Sequence, residues 1–197
     1  MYNESITVDT IPQLKDNYSF IIKNKNNAVL VDPAESIPII KLIENNNLNL
    51  IAILLTHHHT DHTAGVENIL KNKSVPVYSP NKNINHTTNV AVDGDLISFD
   101  FIDFHVIETP GHTLDHIVFY NQNNNILFSG DSLFRLGCGR VFEGTYKQMY
   151  DSLIKIFQLN NKTLVYCGHE YTLNNLNFLL SIFPNNEDLN KERKIIK

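Results

Sequence analysis

The sequence predicts an α/β domain, and three observations carry that expectation. Short apolar runs of strand length recur along the chain. Fewer amphipathic stripes at helical spacing separate them. Four of the strand-length runs lead directly into histidine or aspartate, where a buried strand gives way to a loop.

Taken in order, the expected strands are Ser5–Val8, Ser19–Ile22, Ala28–Val31, Leu50–Leu55, Val75–Tyr78, Leu96–Phe99, Asp103–Ile107, Ile117–Tyr120, Ile126–Phe128 and Thr163–Tyr166. Each is an apolar or alternating run too short for a helix. Ser36-Ile37-Pro38 starts a helix with Ile39, Ile40 and Ile43 inward. Val66, Ile69 and Leu70 mark a second helix. Thr145-Tyr146-Lys147-Gln148 reads as a capping box. Behind it, Tyr146, Met149, Tyr150, Leu153 and Phe157 recur at helical spacing and are expected in the core. A last helix runs from about Leu173 to Phe183, and Pro184 stops it. The tail from Asn185 to Lys197 is expected to be a solvated, frayed terminus.

The chemistry is concentrated in Thr56-His57-His58-His59-Thr60-Asp61-His62, after the run Leu50–Leu55. Side chains two apart at a strand end point the same way. His57 and His59 therefore converge on one ion, while His58 points elsewhere. Asp61 and His62 follow the bend and serve a second ion. Three further segments repeat the pattern of a donor beside a glycine: Pro110-Gly111-His112, Ser129-Gly130-Asp131 and Cys167-Gly168-His169. Each alone reads as a turn; in this order they form a constellation. Five imidazoles and two carboxylates exceed one tetrahedral ion and suit two. The donor set suits zinc first, with iron or manganese as alternatives. Asp131 is placed to bridge two ions roughly 3.5–4 Å apart, as in two-metal hydrolases.

Composition sets limits. A chain of 197 residues forms one domain with room for the start of a second. With 42% hydrophobic residues it can bury a core. A net charge of -5 argues against nonspecific nucleic-acid binding. No run is long and apolar enough to span a membrane. Two cysteines point to a reducing, cytoplasmic compartment, and a monomer is expected. Cys138 and Cys167 flank the donors, but both are expected to be packing or loop residues. His86, His105 and His116 are isolated and read as surface or satisfied histidines. Asp115 has no evident role, and Arg135 reads as a surface charge or an attractor of an anionic substrate.

The order of these motifs resembles the metallo-β-lactamase superfamily. Within it the chain resembles glyoxalase II, the hydroxyacylglutathione hydrolases. Two segments point to that subgroup: Gly137-Cys138-Gly139-Arg140-Val141-Phe142-Glu143-Gly144-Thr145, and Tyr166-Cys167-Gly168-His169-Glu170-Tyr171-Thr172-Leu173. The resemblance extends from Leu14-Lys15-Asp16-Asn17-Tyr18 to Asn177.

The resemblance implies an αββα sandwich: two mixed sheets face to face, helices outside and metals at one edge. It implies that His57, His59 and His112 hold one ion and that Asp61, His62 and His169 hold the other. Asp131 bridges the two together with a water or hydroxide, and Asp61 and Asp131 are the catalytic carboxylates. It further implies hydrolysis of the thioester S-D-lactoylglutathione by that hydroxide, with Arg140, Phe142 and Tyr171 contacting the substrate. Phe142 stands where relatives often carry tyrosine. Residues 1–170 are then the catalytic domain. Residues 171–197 begin a helical substrate-binding region that continues further in relatives, so intact chemistry with weak glutathione binding is expected. A one-iron glutathione persulfide dioxygenase and an inactive relic of the fold are the alternative readings.

Overall fold

The computed structural model describes residues 6–71 and 73–196. Its elements run β1 (Thr7–Gln13), β2 (Asn17–Asn24), β3 (Asn27–Val31), α1 (Ser36–Asn45), β4 (Asn49–Leu54), α2 (Thr60–Thr63), α3 (Val66–Leu70), β5 (Val77–Ser79), β6 (Asn89–Val90), β7 (Leu96–Phe99) and β8 (Ile102–Glu108). They continue with β9 (Ile117–Asn121), β10 (Ile126–Gly130), β11 (Leu133–Phe134), β12 (Gly137–Cys138), α4 (Tyr146–Phe157), β13 (Leu164–Cys167), α5 (Thr172–Ile182) and α6 (Glu187–Ile195).

The first sheet has the order β1-β2-β3-β4-β5-β6 and the second β13-β10-β9-β8-β7. Both are mixed. In the first, β1, β2 and β3 pair antiparallel and β3 to β6 parallel. In the second, only β10 and β13 pair parallel. The two-residue strands β6, β11 and β12 carry no periodic signal and are additions to the predicted set.

Alternation along the strands builds the layers. Phe20, Ile22, Val29, Val31, Ala52 and Leu54 face one way and meet Phe104, Val106, Ile117, Phe119, Ile126 and Phe128 of the second sheet. Their neighbours Ile21, Leu30, Ile53 and Leu55 face outward and are covered by Ile39 and Ile43 of α1 and by Val66 and Ile69 of α3. On the far side, Val118, Tyr120 and Leu127 pack against Ile156 of α4. Strands buried on both faces read as unbroken apolar runs, as Leu50 to Leu55 does. The architecture is the α/β, αββα sandwich.

Three expectations change. The first strand is shifted to Thr7–Gln13, and Ser5 lies outside the described residues. Pro12 is tolerated there because β1 is an edge strand. The capping box at Thr145 and Gln148 forms, but the α4 stripe is not core as predicted. Tyr146, Tyr150 and Phe157 are 86%, 63% and 67% exposed. Of the predicted stripe Met149 is buried and Leu153 half-buried, and the helix docks through Met149 together with Ser152 and Ile156. Ser152 Oγ donates to the Pro110 carbonyl at 2.8 Å, which turns that face inward and the aromatic stripe outward. Finally, the tail expected to be frayed contains α6. Asn186 caps it by accepting from the Asp188 and Leu189 amides, and Arg135 ties it down through Glu192.

Candidate metal centre

The donors gather at one edge of the sandwich, where both sheets deliver strand ends. His57 follows β4, His59 is the N-cap of α2, and Asp61 and His62 lie within α2. His112 follows β8, Asp131 follows β10 and His169 follows β13. Backbone bonds stitch the two sheets there. Tyr18 N donates to Gly168 O at 2.8 Å and Ile117 N to Thr56 O at 2.9 Å. Gly130 has φ +48°, and a Cβ there would sit 2.5 Å from Thr56 Oγ1, so only glycine lets Asp131 turn into the site.

The donor atoms converge. His112 Nε2 lies 3.0 Å from His59 Nδ1, and His62 Nε2 lies 3.4 Å from His169 Nε2. Asp131 reaches His62 at 3.4 Å and both His112 and His169 at 3.3 Å. Asp61 Oδ2 lies 3.4 Å from His169 Nε2. Three overlapping groups result, each with donor atoms within 4.8 Å: His57, His59 and His112; His57, His62 and Asp131; and Asp61, His62 and His169.

Outer partners orient these rings. Thr56 Oγ1 donates to Asp32 Oδ2 at 2.7 Å and so accepts from His57 Nδ1 at 2.9 Å. His62 Nδ1 donates to Asp32 Oδ2 at 3.1 Å, His169 Nδ1 to Asp16 Oδ1 at 3.0 Å and His112 Nδ1 to the Arg140 carbonyl at 2.9 Å. Each bond commits Nδ1 as donor and turns Nε2 toward the centre, the usual outer support of a metal ligand. Asn17 Nδ2 donates to Asp61 Oδ2 at 2.9 Å.

The charges are strongly coupled. Burial opposes a charge on His62, but the Asp131 and Asp32 carboxylates outweigh it and raise its pKa well above the ordinary value. Burial likewise opposes the His169 cation, yet Asp131 and Asp61 push its pKa up to about 10. Burial would raise the Asp131 pKa; the neighbouring His169 and His62 imidazoles instead hold it well below the carboxylate range. Burial, reinforced by neighbouring imidazoles, keeps His57 well below its usual value. The polypeptide thus holds protons against carboxylates that equally suit divalent cations. His57 Nε2 and Asp131 Oδ1 are buried and have no hydrogen-bond partner among the described residues. A cation would satisfy both, so the residues present fit a metal.

A cavity of about 460 Å³ opens beside the donors, with Phe134, Arg140, Phe142, Tyr171 and Asn174 in its wall. Tyr171 stacks on His169 with centroids 4.7 Å apart and planes 6° from parallel. The Phe142 ring lies 5.2 Å from that of His112. Neither Cys138 nor Cys167 belongs to a donor group among the described residues, and both are free thiols. His86 and His105 lie away from the centre on the exposed surface.

Several functional residues escaped sequence reasoning. Asp32, at φ +48°, bends off β3 so that its carboxylate accepts from both Thr56 and His62. Asp16, from the turn between β1 and β2, accepts from His169 across 153 residues of sequence. His116 is completely buried under the centre, accepting from the Asp131 amide at 3.0 Å and facing Thr109 and Ser132 hydroxyls. Nothing in its spacing announces that role.

Fold and donor set together define a metal-dependent hydrolase built on a two-sheet sandwich. A family model described as Metallo-beta-lactamase superfamily matches residues 14–169. Hydroxyacylglutathione hydrolase of Nitrosomonas eutropha is 45% identical over 189 residues, covering 94% of this chain and 73% of that protein. The crystal structure of BLEG-1 B3 metallo-beta-lactamase has a TM-score of 0.76 at 26% identity, covering 83% of this chain and 92% of that one. The structure of TTHA1623 in a di-iron-bound form has a TM-score of 0.71 at 27% identity, covering 83% and 92%. The chain belongs to the metallo-beta-lactamase superfamily and, within it, to the hydroxyacylglutathione hydrolases.

Proposed function

We propose that the chain hydrolyses hydroxyacylglutathione thioesters, with S-D-lactoylglutathione as substrate and D-lactate and glutathione as products. The observation that carries this reading is the convergence of seven donors beside a cavity walled by Arg140, Phe142 and Tyr171. The shared name of relatives near 45% identity supports it. The complete donor set and that name favour it over a one-iron persulfide dioxygenase and over an inactive relic.

In this reading His57, His59 and His112 hold one divalent ion and Asp61, His62 and His169 the other, with Asp131 shared. Zinc is the expected metal, with iron or manganese as alternatives. When bound, such ions supply Lewis acidity that activates water and stabilises an oxyanion. The chain's own groups do the rest. Asp32 and Asp16 keep three imidazoles in the receptive tautomer. Asp61, restrained by Asn17, faces the reacting centre. Phe142 and Tyr171 set apolar ring faces beside His112 and His169, and Arg140 offers a guanidinium to a glutathione carboxylate. No acid needs to reach the leaving sulfur, because a thiol of pKa about 8.5 departs as thiolate. The first turns after residue 170 form part of the substrate wall through Tyr171 and Asn174. The free thiols fit a cytoplasmic setting.

The test is hydrolysis of S-D-lactoylglutathione by metal-analysed protein, with Asp131→Ala as control. Turnover that disappears in the variant supports the reading. Absence of turnover in the wild-type protein carrying two metals overturns it.

A further inference from the structure

We propose that His58 is a positioning residue that fastens the substrate loop to the metal-binding turn. The proposal rests on the hydrolase reading above and adds to it a determinant of substrate affinity that lies outside the donor set.

His58 sits between two histidines of the centre but turns away from it. Its Nδ1 lies 3.0 and 3.1 Å from Asp115 Oδ1 and Oδ2, and its Nε2 lies 3.2 Å from Glu143 Oε1. Both carboxylates are themselves anchored. Thr113 Oγ1 donates to Asp115 Oδ1 at 2.7 Å, and Leu114 N donates to Glu143 Oε2 at 2.9 Å. Three segments therefore meet at one imidazole: the turn carrying His57, His59, Asp61 and His62; the loop carrying His112; and the loop carrying Arg140, Phe142 and Glu143.

The third segment needs such a fastening. Its backbone rests on the His112 loop through two long bonds, Phe142 N to His112 O at 3.3 Å and Gly144 N to Gly111 O at 3.2 Å. At its other end it crosses directly over Asp131, where a Cβ at Gly139 would overlap the Asp131 carbonyl oxygen. Between these ends the Arg140 carbonyl is held by His112 Nδ1 at 2.9 Å. Phe142 follows that tether and directly precedes Glu143, so the hold on Glu143 sets where Phe142 stands in the cavity wall. Asp115 acquires a role as well: it holds the ring of His58 at the angle that presents Nε2 to Glu143.

A third cation site is the competing use of this cluster, since donor atoms of His58, His59 and Glu143 lie within 4.8 Å of one another. Both nitrogens of His58 are already engaged by carboxylates, and His59 Nδ1 is turned toward His112. The geometry favours a clamp over a ligand.

The test compares the metal-loaded wild type with His58→Ala, Glu143→Ala and the double variant. Half-exposed polar contacts of this kind contribute a factor of a few each, and one, to Glu143, acts on the substrate loop while the other, to Asp115, holds the ring. The expected result for His58→Ala is a KM for S-D-lactoylglutathione raised about fivefold, with kcat and bound metal within about twofold of wild type. The double variant should be no worse than Glu143→Ala, because both changes break one connection. Binding of the inert thioether S-hexylglutathione, followed by calorimetry, should weaken in parallel. Hydrogen exchange at residues 139–144 should quicken in His58→Ala while the amides of α4 keep their rates. Unchanged exchange in that loop, additive effects in the cycle, or a fall in kcat and metal content with KM unchanged overturns the proposal. The exchange measurement needs no substrate, so a wild type that hydrolyses no thioester would overturn the functional reading and leave the clamp to be judged by its loop.

Discussion

His116 Nε2 accepts a hydrogen bond from the Asp131 backbone amide at 3.0 Å, and this bond sets the carboxylate at the middle of the centre. On its other edge the ring meets Thr109 Oγ1 at 2.9 Å and Ser132 Oγ at 3.0 Å, and it stacks on His57 with centroids 4.8 Å apart. Removing the ring leaves buried polar groups unpaired. His116→Ala should cost about 2–4 kcal/mol of stability in denaturant melts.

The same residue predicts a pH dependence. Burial pushes its pKa from the ordinary imidazole value near 6.5 down to about 3. Between those values the unfolded chain binds a proton that the folded chain refuses, so stability falls as pH drops from about 6.5 toward 3. Denaturant melts across that window should show a shallower slope for His116→Asn than for wild type.

Metal binding should release protons. In the polypeptide alone, Asp131 and Asp61 push the His169 pKa up to about 10, and Asp131 and Asp32 raise that of His62, so the metal-free site favours protonated imidazole. Raised histidine values stabilise the metal-free fold fully below their unfolded pKa, and that contribution is lost as pH rises through the folded one. Ligation requires neutral imidazole, so zinc affinity should strengthen as pH rises. Calorimetry in two buffers of different ionisation enthalpy at pH 7 should report a net release of protons. Proton uptake or none would contradict this ligand assignment.

Asp32 supports His62 directly and His57 through Thr56. Asp32→Ala should weaken metal affinity about 10–100-fold, the usual effect of removing an outer partner. Competition with a chromogenic chelator measures it. Retained affinity would show that ring packing alone orients the two imidazoles.

Arg140→Ala should raise KM about tenfold with kcat little changed, because a guanidinium binding a remote carboxylate acts equally on ground and transition states. Steady-state kinetics decide it. A fall in kcat alone would place Arg140 at the reacting centre instead.

Much of the architecture was legible because alternation is a direct image of a two-faced strand. Phe20-Ile21-Ile22 and Val29-Leu30-Val31 show it, sending neighbours into opposite layers. The gathering of these seven side chains was legible because the segments that carry them follow such runs. What escaped is what periodicity does not encode. The apolar stripe of Tyr146, Tyr150 and Phe157 states a preference, not the presence of a neighbour, and here Ser152 turned the helix another way. His116, Asp32 and Asp16 act through contacts made across loops distant in sequence, so their spacing is silent. His58 was legible as an outward-facing residue, but its partners Asp115 and Glu143 come from two other segments.

The division of the donors between the sheets has a consequence for how activity is acquired during synthesis. His57, His59, Asp61 and His62 emerge with the first layer; His112, Asp131 and His169 come only with the second. Neither layer alone offers both halves of the constellation. A chain still leaving the ribosome is therefore chemically mute until β13 docks beside β10 and brings His169 into place. Held as proposed, each ion would join the two layers like a rivet, and hydrolysis would report that the layers have met.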